Sequence, residues 1–157
     1  MSRDERRGVS SWLGLLAFLL QGCSLSGLER TVGVSTSTRG EIRVRGAGEQ
    51  GELLFQPGAC LSGDSANFRG VDLVTPQLVL RVVAEPLEGL AVALIDVASG
   101  ARRGVFRRSD CTVLRGDVQR TAWSVNNVAD VSGFVEAECR LASGEELAGS
   151  ITFEHCH

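Results

Sequence analysis

The chain has 157 residues, a formal net charge of −3 and 43% hydrophobic residues, which is enough for one domain with a sizeable core. All 16 basic residues are arginine, and the absence of lysine excludes a phosphate-loop lysine and Schiff-base chemistry. Mild acidity gives no reason to expect nucleic acid as a partner, because nucleic-acid-binding proteins carry a basic face.

A short apolar segment near the N-terminus has the layout of a secretory signal. Trp12–Leu20 is an uninterrupted run without charge, and three arginines precede it. At 1.5 Å per residue, a helix over this run measures roughly 14 Å, far less than the ~30 Å hydrocarbon core of a bilayer. The run therefore fits a signal peptide, in helical form, rather than a resident transmembrane helix. The three arginines are Arg3, Arg6 and Arg7.

The residues that close this segment, Leu20-Gln21-Gly22-Cys23, resemble the lipobox of bacterial lipoproteins. The resemblance implies that residues 1–22 are removed and that Cys23 carries a diacylglyceryl group as the first residue of the mature chain. Because two or more acyl chains give stable anchoring, such a terminus holds a domain at a membrane of the cell envelope. An ordinary secretory signal followed by an unmodified cysteine is the alternative.

The residue after Cys23 bears on which membrane carries the anchor. In enteric lipoproteins an aspartate at this position retains the protein at the inner membrane, and this chain has Ser24. By that resemblance, the outer membrane is expected rather than the inner membrane.

The next segment predicts a flexible tether over residues 23–40. It is rich in serine, threonine and glycine, with scattered apolar residues and no sustained period. The seventeen residues after Cys23, as a coil, have an end-to-end distance of about 20–25 Å, which clears the headgroups. The alternative is that Thr31–Val34 adds an edge strand.

From residue 41 to residue 157 the pattern is that of an all-β domain. Apolar residues alternate with polar ones, turn residues recur every eight to twelve positions, and no stretch keeps helical spacing for three turns. We predict an antiparallel β-sandwich of about seven to nine strands, immunoglobulin-like in class. The segments read as strands are Glu41–Arg45, Glu52–Gln56, Gln77–Ala84 and Leu90–Val97, the last two forming a hairpin.

Asn126-Asn127 predicts a two-residue turn, since asparagine tolerates positive φ. Counting outward from this turn places Leu114 opposite Cys139, Val118 opposite Val135 and Ala122 opposite Val131. A second hairpin around residues 143–145 then places Leu141 opposite Leu147 and Cys139 opposite Gly149, with Ile151 and Phe153 continuing the inward face.

The mature chain keeps four cysteines, an even number that predicts two disulfides in an oxidising compartment. The predicted register puts Cys156 near Ser132 or Gly133, at the opposite end of the ladder from Cys139. It puts Cys111 within three residues of Cys139, a distance that a β-bulge could close. We therefore predict Cys111–Cys139 and Cys60–Cys156, with Cys60–Cys111 and Cys139–Cys156 as the alternative.

The sequence offers little catalytic chemistry. His155 and His157 flank Cys156, but a cysteine in a disulfide can neither bind a metal nor act as a nucleophile, and no third ligand is near in sequence. No metalloprotease, esterase, phosphate-loop or calcium-loop motif occurs. We predict no catalytic residue, no metal and no cofactor.

Six arginines lie between Gly100 and Arg120, against two aspartates. One interpretation is that the stretch from Arg102 to Arg108 faces anionic lipid headgroups or an acidic partner. The other is a solvated hairpin whose charges discourage edge pairing. The candidate contacts are Arg102, Arg103, Arg107 and Arg108.

From Cys60 to the closing Cys-His the chain resembles the small cysteine-paired lipoproteins of myxobacteria, a group that implies no activity. Three hypotheses follow: a non-enzymatic envelope lipoprotein that acts through surface contacts with envelope proteins, a periplasmic carrier of a lipid or other amphiphile, or an enzyme. A carrier would need a cavity of about 300 Å³ or more. The first hypothesis is the one that the sequence favours.

Overall fold

The structure is a computed structural model, and it describes residues 37–46 and 51–157. Most of these residues lie in strands, with two short 3-10 turns at Gly63–Ala66 and Arg108–Asp110. The strands are β1 (Ser37–Arg45), β2 (Glu52–Phe55), β3 (Ala59–Ser62), β4 (Gly70–Val74), β5 (Leu78–Glu85), β6 (Gly89–Asp96), β7 (Arg102–Phe106), β8 (Cys111–Val125), β9 (Val128–Arg140) and β10 (Glu146–Cys156).

The ten strands form two five-stranded antiparallel sheets that pack face to face. The first sheet has the order β2-β1-β10-β9-β8, and the second has the order β3-β4-β5-β6-β7. The predicted all-β sandwich is confirmed. It has one strand more than the upper end of the expected range, and the strands that were not identified from the sequence are β3, β4 and β7.

The core lies between the sheets and follows the period of two. Inward positions of the first sheet alternate with exposed ones along β1, β9 and β10, because successive side chains of a strand point to opposite faces. Full burial of such side chains stabilises by roughly 1.5–3 kcal/mol each. The largest fully buried side chains are Phe55, Phe106, Phe153, Ile42, Leu73, Leu78, Leu80, Leu94, Leu147 and Ile151.

The domain begins earlier than predicted. The expected boundary lay at residue 41, but β1 begins at Ser37 and pairs with β10 from its first residue. Ladder hydrogen bonds come from the backbone, so the polar residues Ser37–Gly40 can pair although their side chains carry no β pattern. Residues 37–40 therefore belong to the sandwich rather than to the tether. The remainder of the predicted tether, the alternative strand at 31–34 and the signal segment lie outside the described residues.

The predicted turn at Asn126-Asn127 is present, with φ of 52° and 64°, but the predicted register holds only beside it. Ser124 lies opposite Ala129 as counted, whereas farther out Arg120 lies opposite Val131. A bulge on β8 moves the register by two residues, and a second bulge after Cys111 moves it by one. Leu114 therefore lies opposite Ala137, Val118 lies opposite Gly133, and Ala122 is exposed.

The second hairpin is also tighter than predicted by two residues. Leu147 lies opposite Cys139, and the Leu141 amide donates to the Glu145 carbonyl at 2.8 Å. A shift of two residues leaves every side chain on its predicted face. Ile151 and Phe153 are accordingly buried.

Both predicted disulfide pairs are at bonding distance. Cys111 and Cys139 lie directly opposite each other, with an S–S distance of 2.09 Å, because the two bulges remove the three-residue offset. Cys60 and Cys156 have an S–S distance of 1.96 Å and join β3 of the second sheet to β10 of the first sheet. One bridge therefore links neighbouring strands and the other links the two sheets.

Within the described ranges, no helix has the length and apolar character needed to cross a bilayer.

Candidate functional site

One end of the first sheet gathers the features that could carry function. Ser37, where β1 begins, lies opposite Glu154 near the last residues of β10. Cys156 in turn lies opposite Val131, and the turn at Asn126-Asn127 lies beyond that level. We call this the proximal end, because the chain reaches the sandwich here. The distal end holds Arg45, Arg140 and Glu146.

A hairpin projects from the proximal end. We call residues 121–129 the tip hairpin; they continue β8 and β9 past the level of Val131, where β10 stops. From Val131 to Val128 the ladder adds three residues, or about 10 Å at the rise of a strand. Its sequence, TAWSVNNVA, carries no charge, and the Trp123 residue is 77% exposed.

The tip hairpin is positioned by a bulge over a buried carboxylate. Thr121, Ala122 and Trp123 on β8 lie opposite one residue of β9, Asp130, which is only 2% exposed. The hydroxyl of Thr121 donates to Asp130 Oδ2 at 2.8 Å and accepts the Trp123 amide at 3.2 Å. The bulge removes the Trp123 amide from the hydrogen-bond ladder, and the Thr121 hydroxyl serves as its acceptor instead.

Both histidines converge on the same carboxylate. His157 Nδ1 lies 3.3 Å from Asp130 Oδ1, and His155 Nδ1 lies 3.6 Å from Oδ2. An irregularity between Phe153 and Cys156, with His155 at a φ of 57°, turns the last residues of β10 toward β9. We call Asp130, Thr121, His155 and His157 the Asp130 cluster.

The Asp130 cluster places two imidazole rings and one hydroxyl around a single buried carboxylate. Among the described residues, no three histidine, cysteine, aspartate or glutamate side chains are arranged to hold a metal ion. The cysteine between the two histidines is bonded to Cys60, so it has no thiolate to offer. What the cluster does is to satisfy a buried carboxylate and fix the base of the tip hairpin.

A second carboxylate supports the tip hairpin from the other sheet. Asp64, in the 3-10 turn after β3, accepts the Ala129 amide on Oδ2 at 3.3 Å. Its other oxygen forms an ion pair with Arg120, the last residue of β8 before the bulge. The base of the hairpin is therefore held on both strands by side chains of the sandwich.

A shallow depression opens on the outer face of the first sheet beside the Asp130 cluster. Its volume is about 650 Å³, and it is wide open to solvent. Polar side chains of β8, β9 and β10 line it, and Gly133 and Phe134 are part of its wall. It lies on the outer face of the sheet rather than between the sheets, so it is not the interior cavity that a carrier of an amphiphile would need.

The four candidate arginines lie on or just after β7, at the other side of the molecule. β7 lies close to the distal end of the first sheet. A Cβ atom added at Gly104 of β7 would be 2.7 Å from the side chain of Leu141, the residue that follows β9. Three of the arginines contact groups of the domain itself. Arg103 pairs with Asp96, Arg107 contacts Glu85 at 2.8 Å and Glu88 at 2.7 Å, and Arg108 donates to the Leu114 carbonyl at 3.0 Å.

Arg102 is exposed, and no salt bridge to it is found among the described residues. A contact of the other three arginines with lipid headgroups would compete with these internal partners, so it stays a prediction.

The ion pair of Arg103 with Asp96 contributes to a shifted pKa of the Asp96 carboxyl. Hydrogen bonds from the Ser99 amide and hydroxyl, together with the Arg103 ion pair, lower the pKa of Asp96 to about 2.

Sequence reasoning found the cysteine pairs but missed the Asp130 cluster. Asp130 shares the outward face of β9 with Ser132 and Phe134, so a carboxylate there reads as exposed. It is buried because the bulged Thr121 and the two histidines cover it. Cys23, the predicted lipidation site, lies outside the described residues.

Comparison with protein-family models, with curated proteins and with solved structures finds no match for this chain.

Proposed function

We propose that the protein is a non-enzymatic lipoprotein of the cell envelope, anchored through lipid on Cys23, whose β-sandwich acts as a surface interaction or structural module. The proposal is carried by Leu20-Gln21-Gly22-Cys23 directly after an apolar run of signal-peptide length. Removal of residues 1–22 leaves Cys23 as the terminal residue, and the anchor then needs no membrane-spanning segment.

The cysteines support an oxidising compartment. All four cysteines after Cys23 lie in two pairs at bonding distance. Disulfides persist in secreted and periplasmic proteins and are rare in the reducing cytosol. An envelope location is consistent with this use of cysteine, and Ser24 favours the outer membrane by the resemblance to enteric lipoproteins.

Packing favours an interaction module over a carrier. Large side chains from both sheets, including Phe55, Phe106 and Phe153, are fully buried in the space between them. A carrier of an amphiphile would need that space to open, which would expose a close-packed core. The second candidate function therefore receives no support from the described residues.

The test is the fractionation of a Cys23→Ser variant expressed in a bacterium with lipoprotein processing. The wild-type protein should partition into detergent with membranes, whereas the variant should be released or should retain the unprocessed signal peptide. A Ser26→Ala variant, altered three residues later, should behave like the wild type. A processed Cys23→Ser protein that still partitions with membranes would overturn the proposal.

A sorting variant tests the choice of membrane separately. If the enteric rule applies, Ser24→Asp should move the protein from the outer to the inner membrane fraction without changing its lipidation. Equal distribution of both forms would leave the anchor intact and contradict the outer-membrane assignment.

A further inference from the structure

We propose that the tip hairpin docks into the surface of the bilayer that holds the Cys23 lipid, with Trp123 at the level of the headgroups. This inference rests on the proposed function, because the lipid on Cys23 brings the hairpin to the membrane. It adds a second contact with the bilayer and gives the domain a fixed orientation on it.

The first observation is the chemistry of the hairpin. Trp123 is 77% exposed, and Val125 beside the turn is also exposed. Tryptophan has a large apolar ring and one N–H donor, and it is enriched where membranes meet water. The nine uncharged residues contrast with the turn of the β5–β6 hairpin, which carries Glu85 and Glu88.

The second observation is where the chain reaches the sandwich. β1 begins at Ser37, at the proximal end from which the tip hairpin projects. Ser37 follows Cys23 by fourteen residues, which span at most about 46–50 Å even when fully extended. The anchor therefore joins the domain at the end that presents Trp123, whereas Arg45 and Arg140 lie at the distal end.

The third observation is the reach of the hairpin. It extends about 10 Å past the level where β10 ends. The headgroup region on each side of a bilayer is roughly 5–8 Å thick, from the difference between the total and hydrocarbon thicknesses. A hairpin of this length places its tip among the headgroups without bringing the sandwich into the hydrocarbon.

The fourth observation is that the hairpin is held in place before it meets a membrane. Thr121 fixes the bulge to Asp130, and Asp64 accepts the Ala129 amide from the other sheet. A preorganised contact loses less conformational entropy on binding than a disordered one. Because the tip carries no charge and Arg120 is paired with Asp64, docking should occur on zwitterionic as well as anionic lipid.

The composition of the chain gives a direct test. There are two tryptophans, and Trp12 lies in the signal segment, so the mature protein has Trp123 as its single fluorophore of this type. The experiment reconstitutes the mature lipidated protein in phosphatidylcholine vesicles with or without brominated acyl chains. Trp123 emission should shift to shorter wavelength on reconstitution and lose intensity with the brominated lipid, while iodide in the water should quench it little.

The matched control moves the tryptophan to another hairpin. Ala142 is exposed in the β9–β10 turn, next to Arg140 and Glu146 at the distal end. In the variant Trp123→Phe, Ala142→Trp, the emission should be quenched by iodide and not by brominated lipid. Both changes are at exposed side chains, so the fold should be retained.

The outcomes separate this inference from the proposed function, because flotation of the vesicles is measured on the same samples. Protein that floats with the vesicles while Trp123 stays accessible to iodide would overturn the docking and leave the anchor standing. Equal quenching of the two tryptophan positions would also overturn it. Shielding of Trp123 in native envelope membranes but not in lipid vesicles would assign the hairpin to a protein partner instead. Protein that does not float would contradict the anchor itself.

Discussion

The hydroxyl of Thr121 donates a hydrogen bond of 2.8 Å to the buried carboxylate of Asp130. This bond closes a bulge in which three residues of β8 lie opposite one residue of β9. The same hydroxyl accepts the Trp123 amide, so the orientation of the exposed hairpin depends on the contact with this buried carboxylate. A substitution at Thr121 should therefore disturb both the tip hairpin and the surroundings of the Asp130 carboxylate.

Thr121→Val should destabilise the domain. The variant removes a hydrogen bond to a charged group, a change that costs about 1.5–3 kcal/mol, and leaves the Trp123 amide without its partner. Urea unfolding measures the loss. Thr152→Val is the matched control, because its hydroxyl makes only a long, exposed bond of 3.4 Å to the Arg39 carbonyl, and the free energy of unfolding should change by less than about 0.5 kcal/mol. Equal losses in the two variants would contradict the role of the bulge.

Gly133→Ala should be one of the more harmful single substitutions in the first sheet. A Cβ at Gly133 would lie 1.8 Å from the Asp117 carbonyl oxygen, so β8 and β9 would have to separate beside the bulge. Overpacking of this kind costs about 1–3 kcal/mol. Gly58→Ala, where nothing lies within 4 Å of the added atom, should leave the melting temperature nearly unchanged. A harmless Gly133→Ala variant would show that this part of the ladder is placed wrongly.

Asp96 should give the stability a dependence on acid pH. Hydrogen bonds from Ser99 and the Arg103 ion pair lower its pKa from 3.8 to about 2 in the folded protein. The ionised carboxylate therefore stabilises the folded state above about pH 4, and this contribution is lost as the pH falls toward 2. The difference in the free energy of unfolding between wild type and Asp96→Asn should be constant near neutrality and shrink over that window. A difference that does not change between pH 5 and pH 2 would contradict the assignment.

The two disulfides should differ in their contribution to stability. Their sequence separations are 96 residues for Cys60–Cys156 and 28 residues for Cys111–Cys139. Loop closure predicts contributions of about 4.7 and 3.6 kcal/mol respectively. The double variant Cys60→Ser, Cys156→Ser should therefore lose more stability in urea than Cys111→Ser, Cys139→Ser. The reverse order would mean that loop length does not govern the contributions.

Peptide mapping checks the pairing itself. Digestion under non-reducing conditions should join the peptide of Cys111 to that of Cys139, and the peptide of Cys60 to that of Cys156. A peptide that joins Cys139 to Cys156 would contradict the register of β9 against β10.

Local patterns predicted seven of the ten strands, whereas β3, β4 and β7 were not identified from the sequence. The hairpin of β5 and β6 follows from two apolar runs around Glu85–Gly89, and the turn at Asn126-Asn127 follows from the tolerance of asparagine for positive φ. Both predictions depend only on the residues of the hairpin or turn itself. The start of β1 was misplaced because backbone pairing of Ser37–Gly40 with β10 needs no apolar side chain.

The register of β8 against β9 could be predicted only up to the first bulge, and that of β9 against β10 was wrong by two residues because the turn is tighter than expected. Residues 121–123 contain no glycine or proline that would mark an irregularity, and their bulge depends on Asp130, which lies on the other strand of the hairpin. The predicted pairing of Cys111 with Cys139 was nevertheless correct, because two bulges on the same strand move it toward its partner. The Asp130 cluster could not be predicted, since it needs both that bulge and the turned end of β10.

The mass of the mature protein, purified from bacterial membranes, tests the central claim most directly. If Cys23 is the lipid anchor, mass spectrometry should show a chain that begins at Cys23 and carries a diacylglyceryl group, with or without a further acyl chain, and two intact disulfides. A chain that begins elsewhere, or one in which Cys23 is unmodified, would contradict the account.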